Sequence, residues 1–146
     1  MRVLGLDLGT KTLGIAMSDM TGLIASGVEN FRFQSFDYEA AYKRIEELVA
    51  KYDVKEIVIG MPYHMNGDAG KSVETVTKFM TILKERVNLP VHPLDERWTT
   101  KLATQYLLQA DLSRNKRKQV IDKMSAVIIL QNYLDMKGAR KNGWRK

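Results

Sequence analysis

The sequence predicts an α/β fold: a mixed five-stranded sheet, with three antiparallel strands and then two parallel ones, that carries helices on both faces. Three strand patterns open the chain, and helix and strand patterns then alternate along the remainder of its 146 residues. This length suits one domain with one core, and no repeat or linker divides the sequence. In such sheets, functional residues gather at the carboxyl ends of strands.

The first three strands lie within residues 2–33. Apolar Val3, Leu4 and Leu6 precede a Gly-Thr-Lys turn at residues 9–12, and Ile15-Ala16-Met17 follows it, which is the pattern of a β-hairpin. A second turn at residues 19–22 leads into the third strand. These patterns predict an antiparallel meander.

The rest of the chain alternates helices with strands. We predict helices over residues 36–52 and 69–87, the second stopped by Asn88-Leu89-Pro90, and short buried strands over 56–60 and 91–94. A third helix, capped by Thr99 or Thr100, is predicted to run to residue 109, and a long last helix to span 114–136. The expected organisation is a domain over 1–138 and a basic, flexible tail over 139–146.

The composition excludes several kinds of site. There is no cysteine, so disulfides, thiolate zinc sites and cysteine nucleophiles are excluded, as suits a reducing cytoplasm. No apolar stretch approaches the length that crosses a membrane, and the N-terminus lacks a signal-peptide pattern. We therefore expect a cytoplasmic protein with no membrane partner.

The formal net charge of +6 is concentrated near the C-terminus. Residues 1–111 carry 13 Lys and Arg against 15 Asp and Glu, whereas residues 112–146 carry 10 against 2. A basic end on a mildly acidic body indicates a polyanionic partner such as nucleic acid, because neutralising phosphates supplies most non-specific affinity. On charge alone, a solvated helix face and a frayed tail explain the pattern equally well.

Three acidic residues stand where an apolar or neutral residue would cost less. Asp7 lies in the first strand just before the turn, Glu96 follows the fifth strand, and Asp122 lies inside the long last helix. The small residues Ser125 and Ala126 lie one turn beyond Asp122 and would let that helix approach the sheet closely. A carboxylate on that helix face would then point toward Asp7.

Three converging carboxylates without a His or Cys partner suit a hard cation, so one or two Mg²⁺ or Mn²⁺ ions are the expected cofactor. Such ions can activate water and stabilise the leaving oxygen when a phosphodiester is displaced in line. Each acid also has a structural explanation when it is taken singly. Asp7 could cap the turn, Glu96 could pair with Arg97, and Asp122 could be an exposed partner of Lys118.

Four motifs are spread over nearly the whole chain. They are Asp7-Leu8-Gly9-Thr10-Lys11 with Gly14-Ile15-Ala16-Met17-Ser18-Asp19, Gly60-Met61-Pro62 with Asn66-Gly67, Leu94-Asp95-Glu96-Arg97-Trp98-Thr99-Thr100, and Asp122-Lys123-Met124-Ser125-Ala126 with Ile129-Leu130-Gln131-Asn132-Tyr133-Leu134. In this order they resemble the motifs of the YqgF/RuvX family, and the Asp-Glu-Arg-x-Thr-Thr element combined with the other three is specific.

The resemblance implies an RNase H-like fold and nuclease chemistry. It also implies that Asp7, Glu96 and Asp122 are the catalytic, metal-binding acids. The family is associated with Holliday-junction resolution and, in bacteria, with maturation of the 5′ end of the 16S ribosomal RNA precursor. Asp-Leu-Gly-Thr also opens sugar kinases and actin-like ATPases, but those proteins close two such domains on a nucleotide and this chain supplies one.

Basic residues lie beside the proposed acids. Lys11 and Arg97 could stabilise negative charge on a phosphate, or they could pair with Asp7 and Glu96. A cluster that precedes Asp122 on the same helix could guide a nucleic-acid backbone to the metals; it comprises Arg114, Lys116, Arg117 and Lys118. His64 could carry a proton or contact a phosphate, although a lone loop histidine is more often solvated. Asp19 could serve as a peripheral acid or organise the end of the second strand, and the structural role is the expected one.

The sequence therefore predicts a metal-dependent nuclease that hydrolyses phosphodiester bonds of nucleic acid, with processing of the 5′ end of pre-16S rRNA as the main interpretation. The first alternative is a Holliday junction resolvase that acts on four-way DNA junctions in recombination and repair. A further alternative is a non-catalytic nucleic-acid-binding protein of the same fold. A monomer and a homodimer are both compatible with the sequence.

Overall fold

The computed structural model describes residues 1–63, 72–95 and 114–141, and for residues 114–123 and 139–141 it describes the backbone alone. Five strands and three helices lie within these ranges. In chain order they are β1 (Arg2–Leu8), β2 (Thr12–Ser18), β3 (Ala25–Arg32), α1 (Tyr38–Tyr52), β4 (Val54–Met61), α2 (Val73–Val87), β5 (Val91–Asp95) and α3 (Arg114–Lys141). The helix predicted to end at residue 109 lies outside the described residues.

The strands form one sheet in the order β3-β2-β1-β4-β5. β1 pairs antiparallel with β2, and β2 with β3, whereas β4 pairs parallel with both β1 and β5. This confirms the predicted mixed sheet. Four strands, all except β2, therefore end at the same side of the sheet, which we call the carboxyl edge; it is marked by Leu8, Arg32, Met61 and Asp95. The other side is called the opposite edge.

Alternation along β1 divides the core between the two faces of the sheet. Leu4, Leu6 and Leu8 belong to the larger cluster, which includes residues of α1 and α2. Val3 belongs to a second cluster that includes Ala126, Ile129, Leu130 and Leu134 of α3. Because side chains alternate along a strand, Gly5 and Asp7 share the α3 face with Val3.

Helices α1 and α2 begin slightly later than the sequence predicts. The predicted start of α1 at residue 36 is wrong because Phe36 has left-handed backbone (φ 63°) and helix geometry begins at Tyr38. The predicted start of α2 at residue 69 is wrong because Ser72 is the N-cap, and its hydroxyl accepts a 3.1 Å hydrogen bond from Thr75 N. Asn88, in left-handed conformation, ends α2 where the sequence predicts.

Helix α3 is longer than predicted. It continues through Gly138 to Lys141, five residues past the expected end at residue 136. The added residues include Ala139, Arg140 and Lys141, which are all good helix formers, and this explains the extension. Residues 142–146 of the predicted tail lie outside the described residues. Within the part of the chain that the structure describes, no helix is both long and apolar enough to span a bilayer.

The C-terminal half of α3 is attached to the opposite edge by polar contacts. Gln131 accepts a hydrogen bond from Ala25 N and donates one to the carbonyl oxygen of Leu23, each 2.9 Å long. Buried Glu56 of β4 accepts hydrogen bonds from the Tyr133 hydroxyl and from Lys137 Nζ, the latter at 2.5 Å. These contacts fix α3 along the sheet.

The Glu56 carboxylate is charged despite its burial. Desolvation by burial favours its neutral form, but the hydrogen bonds from Lys137 and Tyr133 and the charge of Lys137 outweigh that effect and lower its pKa. His92 of β5 adds a contact of 3.1 Å from Nε2 to Glu56. Strand β4, strand β5 and helix α3 thus meet at one carboxylate.

Candidate active site

Asp7 lies near the end of the central strand, just before the β1–β2 turn. It pairs with Gly14 of β2, and Gly9 N donates a 2.8 Å hydrogen bond to the Thr12 carbonyl oxygen to close the turn. The Asp7 side chain is half-buried, so it is only partly withdrawn from water. A carboxylate in this position is shielded enough to interact strongly with a cation and open enough to be reached by a substrate.

Helix α3 crosses the same face antiparallel to β1. A Cβ added to Gly5 would lie 2.6 Å from Leu130 Cβ and 3.1 Å from the Ala126 carbonyl oxygen, so strand and helix backbones approach closely there. Val3, nearer the opposite edge, belongs to the cluster that contains Leu134. The buried, small Ser125 and Ala126 allow this approach, as predicted.

This packing carries the backbone of position 122 toward Asp7. From Gly5 to Asp7 the strand advances by about 6.7 Å. From Ala126 back to position 122 the antiparallel helix advances by about 6 Å in the same direction. Position 122 and Asp7 therefore lie at the same level of the sheet face. The side chain of Asp122 lies outside the described residues, so its metal-binding role stays a prediction.

Strand β5 ends at the same edge. Leu6 of β1 pairs with Ile59, and Met61, two residues later on β4, pairs with Asp95. β1 and β5 both neighbour β4, so they are about 9.6 Å apart. Asp95 is the last described residue before Glu96 and Arg97, and these two lie outside the described residues. Their predicted roles as metal ligand and phosphate contact stay predictions.

Basic residues are available at the carboxyl edge. Lys11 lies in the turn that follows Asp7, and its side chain is exposed. The backbone of α3 begins at Arg114, eight residues or about 12 Å of helix before position 122. Because α3 runs antiparallel to β1, this start lies toward or beyond the carboxyl edge. The side chains of the predicted phosphate-binding cluster, which are Arg114, Lys116, Arg117 and Lys118, lie outside the described residues.

Asp19 has the structural role that the sequence predicts. It follows β2 at the opposite edge and accepts hydrogen bonds from Thr21 Oγ1 (2.6 Å), Leu23 N (2.9 Å) and Ile24 N (3.2 Å). The Thr21 hydroxyl, followed by the two backbone amides, lowers the pKa of Asp19 to about 2. Its distance from Asp7 along β2 separates it from the candidate site. His64 lies outside the described residues.

Two residues near the site have roles that the sequence pattern does not predict. Gly5 lies beneath α3, and its only sequence signal is a glycine in an apolar strand. Phe36 is assigned by its sequence pattern to a helix start, yet Phe36 N donates a 3.0 Å hydrogen bond to the Thr10 carbonyl oxygen in the Asp7 turn. Phe36 and Thr10 are far apart in the sequence, so no local sequence signal predicts this hydrogen bond.

The donor chemistry fits a hard divalent cation. Asp7 supplies carboxylate oxygens at the carboxyl edge, and the other two predicted ligands, Glu96 and Asp122, are carboxylates as well. Among the side chains that the structure describes, no three of His, Cys, Asp or Glu are grouped so as to hold a metal ion. Asp7 is the one predicted ligand within that part, so the complete ligand set stays a prediction.

Comparison with solved structures identifies the fold. The chain is similar to Thermus thermophilus RuvC in complex with a Holliday junction substrate, with a TM-score of 0.61, 14% sequence identity and coverage of 94% of this chain and 95% of that chain. It is also similar to the fowlpox virus Holliday junction resolvase, with a TM-score of 0.56, 12% identity and coverage of 93% and 99%. The fold is therefore the RNase H-like fold of these resolvases.

Sequence comparison identifies the family. A Geobacillus protein named "Putative pre-16S rRNA nuclease" is 50% identical over 137 residues, which are 94% of this chain and 99% of that protein. A Listeria innocua protein of the same name is 46% identical over 92% of this chain and 98% of its own length. The family model described as "RuvX: Holliday junction resolvase" matches residues 1–136. The chain therefore belongs to the RuvX family.

Proposed function

We propose that this protein is a metal-dependent nuclease that hydrolyses phosphodiester bonds of nucleic acid and processes the 5′ end of pre-16S rRNA in the cytoplasm. One observation carries the proposal. Half-buried Asp7 lies near the end of the central strand, at the carboxyl edge of the sheet. On the same face, α3 packs closely against Gly5, and this packing brings the backbone of position 122 to the same level of the sheet as Asp7. The family and the names of its curated relatives support nuclease chemistry for this chain.

Asp7, Glu96 and Asp122 would hold one or two Mg²⁺ or Mn²⁺ ions. When bound, such ions supply an activated water and stabilise the charge of an in-line displacement at phosphorus. The protein contributes the placement of its carboxylates: Asp7 is fixed by the sheet, and position 122 by the packing of α3 on Gly5. A rigid strand and a rigid helix hold such ligands more accurately than loops do.

The basic residues would place the substrate. Lys11 is exposed in the turn beside Asp7, and Arg97 follows Glu96 directly in the sequence. Arg114, Lys116, Arg117 and Lys118 are the first basic residues of α3. Contacts of lysine and arginine with phosphates position a strand without reading its sequence. Specificity for one cleavage site would therefore come from RNA shape, from single-stranded segments or from a ribosomal particle as partner.

A second candidate function is resolution of four-way DNA junctions. It is favoured by the description of the family and by the fold shared with RuvC and the fowlpox resolvase. Symmetric cleavage of a junction needs two active sites, so this function requires a homodimer, whereas RNA processing can be performed by a monomer. Oligomeric state on the bound substrate therefore distinguishes the two functions.

The decisive experiment compares the wild-type protein with Asp7→Asn and Asp19→Asn. Each is incubated with structured RNA containing the 5′ precursor segment of 16S rRNA, with single-stranded RNA and with four-way DNA junctions, with and without Mn²⁺. We expect metal-dependent RNA cleavage by the wild type and by Asp19→Asn, whose changed residue lies at the opposite edge. Asp7→Asn should lose cleavage but keep folding and RNA binding.

The outcomes separate the candidates. Equal cleavage by wild type and Asp7→Asn in Mn²⁺ would refute the proposed site. Cleavage confined to junctions would establish the second function. A third outcome is that no substrate is cleaved and that nucleic-acid binding depends on salt but is the same with or without metal and in Asp7→Asn. That outcome would identify a non-catalytic nucleic-acid-binding protein.

A further inference from the structure

Phe36 is held in a backbone conformation that a phenylalanine rarely adopts. Its φ is 63°, in the left-handed region that glycine and asparagine populate far more readily. The surrounding loop imposes this conformation: Phe36 N donates to the Thr10 carbonyl oxygen at 3.0 Å, and Phe33 N donates to the Lys11 carbonyl oxygen at 2.9 Å. The loop that carries Phe36 is therefore attached to the turn that follows Asp7.

The conformation leaves an aromatic ring in water. The Phe36 side chain is 56% exposed. Its ring meets Tyr38 nearly perpendicularly, with centroids 6.3 Å apart and an interplanar angle of 83°. Tyr38 in turn makes an edge contact with buried Phe79 at 5.7 Å. The ring is thus supported from the core while most of its surface stays open.

The position of this ring differs from that of several exposed aliphatic side chains. Two aromatic residues, Phe36 and Tyr63, occur among the large apolar side chains that are exposed in the described ranges, and both follow strands that end at the carboxyl edge. Exposed Met1, Met20 and Leu23 lie at the opposite edge instead. Aromatic faces, unlike aliphatic chains, stack on nucleobases with little dependence on base identity.

We propose that Phe36 is a stacking platform for an unpaired nucleobase of a single-stranded segment whose phosphate is contacted by Lys11. The turn that carries Lys11 is the turn to which the Phe36 loop is attached, so a base and a neighbouring phosphate of one strand can be engaged together. Bases within a duplex are already stacked on their neighbours and are not available to stack on the Phe36 ring. The identification of this strand as the substrate rests on the proposed nuclease function.

The test uses the full-length Asp7→Asn protein, so that the nucleic acid is not cut. A set of single-stranded RNAs is prepared, each with 2-aminopurine at a different position. Each RNA is titrated with this protein at a fixed salt concentration, and the same RNAs in duplex form are titrated for comparison. Stacking on Phe36 quenches 2-aminopurine fluorescence at one position of the single strand. Three variants are made in the same background: Phe36→Asn, Phe36→Tyr and, as the matched control, Ile24→Ala.

Asparagine tolerates the left-handed backbone, so Phe36→Asn removes the ring and retains the fold, which thermal unfolding checks. We expect Phe36→Asn to abolish the quench and to weaken single-strand binding about tenfold, with duplex binding unchanged. Phe36→Tyr should retain both the fluorescence quench and the affinity for the single strand, because it retains an aromatic face. Ile24→Ala behaves as the parent because Ile24, which is 65% exposed, lies at the opposite edge.

Unchanged quench and affinity in Phe36→Asn would overturn the proposal, as would equal losses in Phe36→Asn and Phe36→Tyr. Failure of the nuclease function gives a different result. If the wild type cleaves nothing but the Phe36-dependent quench is present, the stacking platform is supported and the proposed nuclease function is not. If RNA is cleaved and Phe36→Asn binds normally, the stacking platform is refuted and the nuclease function is retained.

Discussion

Gly5 and Leu130 are packed so closely that only a hydrogen atom fits between strand β1 and helix α3. A methyl group at Gly5 would lie 2.6 Å from Leu130 Cβ and 3.1 Å from the Ala126 carbonyl oxygen. Part of this contact is helix backbone, which cannot rotate away as a flexible side chain could. The separation between β1 and α3, and with it the separation between Asp7 and position 122, is therefore set at Gly5.

Gly5→Ala should move α3 away from the sheet. Overpacking of this kind destabilises proteins by about 1–3 kcal/mol, and the displacement should also reduce metal-dependent cleavage. Urea unfolding measures the first effect, and RNA cleavage well below the unfolding midpoint measures the second. The matched control is Gly138→Ala in the same helix, where an added Cβ would meet nothing within 4 Å. It should stabilise the protein by about 0.5–1 kcal/mol, and equal effects of the two substitutions would contradict the packing argument.

Tyr38→Phe should stabilise the protein. The Tyr38 hydroxyl oxygen is buried and has no hydrogen-bond partner in the described structure, and burial raises its pKa. Removing an unsatisfied buried hydroxyl should raise the free energy of unfolding by about 1 kcal/mol, because the ring contacts with Phe33 and Phe79 do not need it. Urea unfolding at pH 7 gives the comparison. A loss of stability would show that the hydroxyl has a partner.

Glu56→Gln should destabilise the protein in a pH-dependent way. The pKa of Glu56 is lower in the folded protein than in the unfolded chain, so its carboxylate stabilises the fold above the unfolded value of about 4.3. That stability is lost as the pH falls through the lower, folded pKa. At pH 7 the variant should lose about 1–3 kcal/mol, since it weakens a charged hydrogen bond to Lys137.

The difference in unfolding free energy between wild type and Glu56→Gln should shrink as the pH is lowered below about 4.3. Denaturant titrations from pH 7 to pH 3 measure this convergence. Parallel curves across that range would show that the ionised form of Glu56 contributes nothing to stability.

Lys11→Gln should weaken RNA binding at every sequence tested. A plot of the logarithm of affinity against the logarithm of salt concentration has a negative slope, and the loss of one phosphate contact reduces the magnitude of that slope by about 1. The matched control is Lys55→Gln, because Lys55 is also exposed but lies at the opposite edge. There its Nζ is 2.9 Å from Asp53 Oδ1. If both variants have the same slope as the wild type, Lys11 does not contact phosphate.

The sheet was predictable from sequence because its signals are local. The turn after Asp7 and the turn at Asp19 determine the antiparallel meander, and the alternation of helix and strand determines the parallel pairs. The start of α1 was not predictable, because a hydrogen bond from Phe36 to distant Thr10 overrides the helical pattern. The role of Gly5 was equally hidden, since it depends on where α3 lies along the sheet.

The candidate site was predictable to the same extent. Asp7 is recognisable as an acid in an apolar strand, and its position at the carboxyl edge is confirmed. The level of position 122 depends on packing and could be expected only from the small residues Ser125 and Ala126. Glu96, Arg97 and the basic cluster stay predictions, because their side chains lie outside the described residues.

The attachment of α3 at the opposite edge has a consequence for genetics. Tyr133 hydrogen-bonds Glu56 eleven residues, or about 16 Å of helix, after position 122. A substitution that removes this contact weakens one of the attachments that hold α3 along the sheet, and we expect the position of residue 122 to be less well fixed as a result. A random-mutagenesis selection for inactive protein should therefore return changes at Glu56 and Tyr133 beside those at Asp7, although the two groups of residues lie at opposite ends of the sheet.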